Sequence, residues 1–90
     1  MAKIIKANGQ EVETEPINGT DFQLEELKDI VKGWIEIVWL PDGRLMCVNE
    51  EGKCYGLPIN DKATEIYQSA FGYSDFICGD VLVCDGNQIQ

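Results

Sequence analysis

The chemistry-bearing residues of this chain are four cysteines, a scatter of turn carboxylates and one compact segment, Lys53-Cys54-Tyr55-Gly56-Leu57-Pro58-Ile59-Asn60. That segment sets a cation, an aromatic ring, a bare backbone and a helix start side by side. Free N–H groups at a helix N-terminus suit an anion or a carbonyl, and an aromatic ring can stack on a planar ligand. Lys53, Tyr55, Gly56 and Asn60 are therefore the candidate ligand-binding residues. Arg44 supplies a further cation, and Tyr73, in the loop Phe71-Gly72-Tyr73-Ser74-Asp75, an exposed aromatic contact. The plainer reading is that both segments only link elements.

Other chemistries are less well served. Histidine is absent, which removes the commonest general base and the commonest zinc ligand together. The cysteine intervals, Cys47-x6-Cys54 and Cys78-x5-Cys84, resemble neither a zinc ribbon nor a knuckle, so no metal is expected. The thiols read as free, small apolar side chains on strands. Glu50-Glu51, Asp80 and Asp85 are the carboxylates open to acid–base work, but no pair has a spacing that a particular reaction requires. The nine glycines are spread over turns and caps, with no phosphate-loop signature. The expectation is a protein that is not an enzyme and uses no cofactor.

Seven basic against sixteen acidic side chains leave a formal charge of −9, which opposes binding that rests on neutralising phosphates. Nucleic acid and anionic membrane are disfavoured partners. No apolar run exceeds four residues, against the roughly 20 needed to cross a bilayer. The first residues, Met1-Ala2-Lys3-Ile4-Ile5-Lys6, turn polar at once, unlike a secretory signal, and a cytoplasmic location is expected.

Ninety residues suffice for one small core, so a single domain over 1–90 is expected to position these groups. Asn8-Gly9 signals a two-residue type I′ hairpin turn, which pairs Lys6 with Glu11 and Ile5 with Val12. The second strand, with Glu11, Glu13, Glu15 and Pro16, suits a sheet edge. Thr20 with Gln23 fits a capping box for a helix over about 21–32, with Leu24, Leu27 and Val31 inward and Gly33 at its end. The outer face carries Glu25 and Asp29. Residues 8 to 30 hold seven acids and one lysine, −6 of the total −9.

The run from Trp34 to Leu40 reads as a strand, and Pro41-Asp42-Gly43 as a three-residue turn with its glycine in a bulge. Pairing Leu40 with Arg44 sets Trp39 opposite Leu45 and Ile37 opposite Cys47 on a core face. Val38 then faces Met46, and Glu36 faces Val48, on the reverse. The reverse face, with Trp34, Val38, Leu40, Met46 and Val48, is also apolar and needs a second layer or another subunit, so a homo-oligomer is expected. A turn at Glu50-Glu51-Gly52-Lys53 leads to a short strand around Cys54 and Tyr55. Asn60 caps a second helix whose stripe is Ala63, Ile66, Tyr67, Ala70 and Phe71. Phe76–Cys78 and Val81–Cys84 read as central strand material bulged at Gly79-Asp80, and Gln88–Gln90 as a minor last strand. The predicted order is β-β-α-β-β-β-α-β-β: an α+β domain, two helices on a mostly antiparallel sheet.

Four motifs, Leu40-Pro41-Asp42-Gly43, Asn49-Glu50-Glu51-Gly52-Lys53, Gly56-Leu57-Pro58-x-Asn60 and Gly79-Asp80-Val81-Leu82-Val83, together resemble a family of short uncharacterised proteins of phages and mobile elements, classed as a domain of unknown function. The resemblance covers most of the chain after about residue 24. It implies a phage-type accessory protein, a class that includes inhibitors of host defence, and carries over no catalytic residues. Two functions fit. One is a non-enzymatic sponge that sequesters a small nucleotide-derived signal of host antiviral defence. The other is an acidic decoy that imitates nucleic acid and docks through Glu25 and Asp29 onto a host defence protein.

Overall fold

The structure, a computed structural model, describes residues 2–52, 56–72 and 75–89. Its elements are β1 (Ala2–Ile5), β2 (Glu11–Thr14), α1 (Leu24–Val31), β3 (Ile35–Trp39), β4 (Arg44–Asn49), α2 (Asp61–Phe71) and β5 (Val81–Asp85), followed by a 3-10 turn at Gly86–Gln88. The strands form one antiparallel sheet in the order β2-β1-β5-β4-β3. This is the expected α+β arrangement. β5 lies between the two hairpins and joins them, and its Val81–Cys84 run is buried on both faces, as a central strand requires.

Alternation along the strands builds two cores. Leu45, Cys47, Leu82 and Cys84 point toward α1, where Leu27, Val31 and Phe22 cover them. Met46, Val48, Val81 and Val83 point the other way, beneath Ala63, Ile66, Tyr67 and Ala70 of α2. The apolar reverse face of β3–β4 is therefore covered mainly by α2 of the same chain. The need for another subunit to cover that face is removed, although Trp34 remains 59% exposed.

The β3–β4 register is the expected one, with Trp39 opposite Leu45 and Ile37 opposite Cys47, and Gly43 occupies the bulge at φ +90°. Trp39, placed in the core by alternation, is 60% exposed because it lies at the strand's end beside Gly86, past the cover of α1. The first hairpin is corrected by one residue. Ile5 pairs with Glu11 and Ile4 with Val12. The Lys6 N–H donates to Gln10 O at 2.8 Å and the Gly9 N–H to Lys6 O at 2.9 Å, so the loop is Ala7-Asn8-Gly9, with only Gly9 at positive φ. Asn8 Oδ1 accepts the Gln10 N–H at 2.9 Å, a local bond that holds Asn8 in an Asx turn.

The first helix also starts later than expected. Asn18 Oδ1 accepts the N–H groups of Thr20 and Asp21, each at 2.9 Å, which makes residues 18–21 a turn. Gln23 is the cap, its N–H donating to Glu26 Oε2 at 2.8 Å. Leu24 is consequently exposed, and Phe22 takes the core place assigned to it. At the other end Lys32, not Gly33, adopts the left-handed conformation. Gly33 is needed for space: a Cβ there would stand 2.8 Å from Asn49 Nδ2, the group that donates to Val31 O at 2.9 Å and closes the helix.

Of the remaining expected strands, the one around Cys54 and Tyr55 lies outside the described residues. Cys78 makes only a single bridge, to Ile59, and Ile89 only a single parallel bridge, to Phe22.

Candidate functional site

Asn60 is not a ligand group. Its side chain is fully buried: Oδ1 accepts the Ala63 N–H at 3.0 Å, and Nδ2 donates to Ile5 O at 2.8 Å and Gly79 O at 2.9 Å. One amide thus caps α2 and ties it to β1 and to the approach to β5, with donors and acceptor all used. Asp80 is committed in the same manner. Its Oδ1 accepts the Ala7 N–H at 2.9 Å and its Oδ2 meets Lys32 Nζ at 3.2 Å. Gly56 is exposed at φ +67° with open space around it. Lys53, Tyr55 and Tyr73 lie outside the described residues. The expected site around the start of α2 is therefore not assembled among the described residues.

Arg44, the remaining member of the expected set, lines a different concavity. α2 stands off the sheet along a groove of about 530 Å³, floored by Ile5 and Val83 and bordered by β2 and by Lys62, Glu65 and Ile66 of α2. Arg44, Glu65 and Ile66 also line a neighbouring hollow of about 350 Å³ under the β3–β4 turn, so the two adjoin. Three cations, Lys3, Arg44 and Lys62, face the groove with four acids, Glu11, Glu13, Glu65 and Asp85. A near-balanced wall on a −9 chain means that three of its seven basic residues gather here.

Two ion-pair clusters organise these charges. Glu11 accepts from Lys62 Nζ at 2.7 Å through one oxygen and from Lys3 Nζ at 3.0 Å through the other. The two ammonium groups, Lys62 foremost, hold its carboxyl below the usual carboxylate range. Asp42 accepts the Arg44 N–H at 3.1 Å and Arg44 Nε at 2.8 Å, and these bonds, the backbone one first, hold its carboxyl below that range too. Each lysine ammonium has three donors, so donors remain for a further acceptor after Glu11 is served. The cations are about half exposed and screened, so each contact adds modest affinity.

Lys3, Lys62 and Glu11 were not among the expected site residues. Glu11 reaches this face only in the observed register, and Lys62 only because Asn60 fixes where α2 begins. The cap at Asn60 is legible in the sequence, but the choice of register and the meeting of Lys62 with Glu11, 51 residues away, leave no local signal.

Three of the four cysteines lie among the described residues. Cys47, Cys78 and Cys84 are buried. Burial, and next to it Cys84, pushes the Cys47 thiol up to about 12, and burial followed by Asp85 pushes Cys84 up to about 11, so both are neutral thiols at ordinary pH. Among the described residues no three His, Cys, Asp or Glu side chains group to hold a metal ion, and no helix is long and apolar enough to cross a membrane. Glu25 and Asp29 are exposed on the outer side of α1. Lys28, 4.0 Å from Glu25, also lies 4.1 Å over the Trp34 ring.

The family described as "Domain of unknown function (DUF3846)" matches residues 1–89, and the chain belongs to it. No match is found among curated proteins or among solved structures.

Proposed function

We propose that this DUF3846 chain works by occupancy: the groove beneath α2 takes a small anionic molecule, and the protein performs no chemistry on it. The carrying observation is the gathering of Lys3, Arg44 and Lys62 around an apolar floor of Ile5 and Val83 on an otherwise acidic chain. The volume suits a nucleotide-sized ligand. The apolar floor would meet a base or ring, and the spare lysine donors would meet its phosphates. Glu13 and Glu65 would select against more highly charged polymers, consistent with an overall −9. The ligand class proposed is a nucleotide-derived signal of host antiviral defence, sequestered in a host cell cytoplasm. The resemblance to proteins of phages and mobile elements supports that finer reading.

Isothermal titration of the full chain with cyclic dinucleotides and cyclic ADP-ribose isomers tests it. Micromolar binding is expected, weakened about two- to fivefold by Lys62→Ala or Arg44→Ala and unchanged by Glu25→Lys/Asp29→Lys. Absence of heat at millimolar ligand, or binding indifferent to the groove substitutions, overturns it.

A second reading, the acidic decoy, rests on Glu25, whose side chain is 82% exposed, together with exposed Asp29. Under that reading the double charge reversal abolishes capture of a basic partner protein, while Lys62→Ala does not.

A further inference from the structure

The two edges of the sheet differ in kind. β2 presents Glu11 and Glu13 and is followed by Glu15 and Pro16, charges and a proline that resist strand addition. β3 has the sequence Ile35-Glu36-Ile37-Val38-Trp39, with no proline, no lysine and one charge. Among the described residues nothing pairs with its outer side.

The hydrogen-bond phase shows which groups face out. Leu40 N–H donates to Arg44 O and Glu50 N–H to Trp34 O, both at 2.9 Å. In an antiparallel ladder bonded pairs alternate, so Glu36 and Val38 bond inward to Val48 and Met46. The N–H and C=O groups of Ile35, Ile37 and Trp39 therefore point away from the sheet. At either end of this strip Trp34 and Trp39 are 59% and 60% exposed. Such an edge is a template for another strand.

We propose that β3 pairs with β3 of a second copy, antiparallel, about a two-fold axis at Ile37. This inference is independent of the groove. Self-pairing is favoured over an unrelated strand because the sequence is complementary to its own reverse in one register. Ile37 meets Ile37, Ile35 meets Trp39, and Glu36 meets Val38, so each outward-facing residue finds another and no glutamate lies directly opposite its copy. Sliding by two in one direction sets Glu36 against Glu36. Sliding in the other sets Ile35 against Pro41, which has no N–H to donate. The observed strand thus selects one register by charge on one side and by a missing donor on the other.

Two −9 chains repel, and salt screens that repulsion, so association should strengthen as ionic strength rises. Sedimentation of the full chain is expected to show a dimer at tens of micromolar, with the association constant rising several-fold between about 0.05 and 0.5 M NaCl. Trp39→Lys should lower it at least about tenfold. In a Cys54→Ser background, Ile37→Cys should form an intermolecular disulfide under mild oxidation. Ile35→Cys should not cross-link to itself but should link when mixed with Trp39→Cys. Amides of Ile35, Ile37 and Trp39 should gain exchange protection with concentration, while Glu36 and Val38 stay protected throughout. A monomer at all concentrations and salts overturns the proposal, and so does a dimer that cross-links through Glu36→Cys and not through Ile37→Cys.

Discussion

Asn60 Nδ2 donates to the carbonyl of Ile5 at 2.8 Å, a bond between residues 55 apart in the chain that locks the start of α2 to the end of β1. Asn60→Ala removes the helix cap and leaves the Ile5 and Gly79 carbonyls without this donor. The expected loss is about 3 kcal/mol, from ~1 for the cap and the remainder for desolvated acceptors. Asn60→Asp keeps the cap acceptor but aims a carboxylate at two carbonyls, and should cost at least as much. Urea unfolding midpoints at constant slope report both, and an Asp variant as stable as the parent contradicts this account.

Gly33 and Asn49 form a second such pair at the end of α1. Gly33→Ala drives a Cβ to within 2.8 Å of Asn49 Nδ2 and pushes the amide off the Val31 carbonyl. A loss of about 1–2 kcal/mol is expected. In an Asn49→Ala background the obstruction is gone, so the same substitution should be neutral or slightly stabilising. The double-mutant cycle should therefore show coupling of about 1 kcal/mol or more, and strict additivity refutes it.

The buried thiols predict both reactivity and a pH response. Cys47 and Cys84 should resist iodoacetamide at pH 8 in the native state and react on unfolding. Their folded values, about 12 and about 11, lie above the ordinary 9.0. The native state therefore keeps protons that the unfolded chain releases, and stability must fall as pH rises above 9. Cys47→Ala/Cys84→Ala should flatten that slope in denaturation measured from pH 8 to 11.

Glu11 makes the opposite prediction at acid pH. Its carboxyl is held below 4.5 by Lys62 and Lys3, so its contribution is present above 4.5 and is lost as pH falls through the lowered folded value. Lys62→Met should raise the Glu11 titration midpoint toward 4.5 in a carboxyl-detected NMR titration. An unmoved midpoint would show that the pair does not persist in solution.

Local chemistry was sufficient for much of this fold. The Pro41-Asp42-Gly43 turn, the β3–β4 register, the glutamate-rich edge, the central placement of Val81–Cys84 and the stripe of α2 from Ala63 to Ala70 all follow from turn residues and periodicity, which act over a few positions; Phe71, expected in that stripe, is instead 47% exposed at the helix end. Where two local solutions lay close in energy, tertiary context chose. Asn8-Gly9 supports either a two-residue or a three-residue loop, and the longer one, reinforced by the Asn8 side chain, turns Glu11 onto the face where Lys62 arrives. Asn60 reads from sequence as a helix cap open to a ligand. Only its burial against Ile5 and Gly79 shows that nothing is left to offer. The groove is illegible in the chain because Lys3, Arg44 and Lys62 belong to three different elements. Their proximity is created by a sheet order in which the last strand enters between two hairpins. Pattern decides which faces are apolar; the packing of distant segments decides which charges meet.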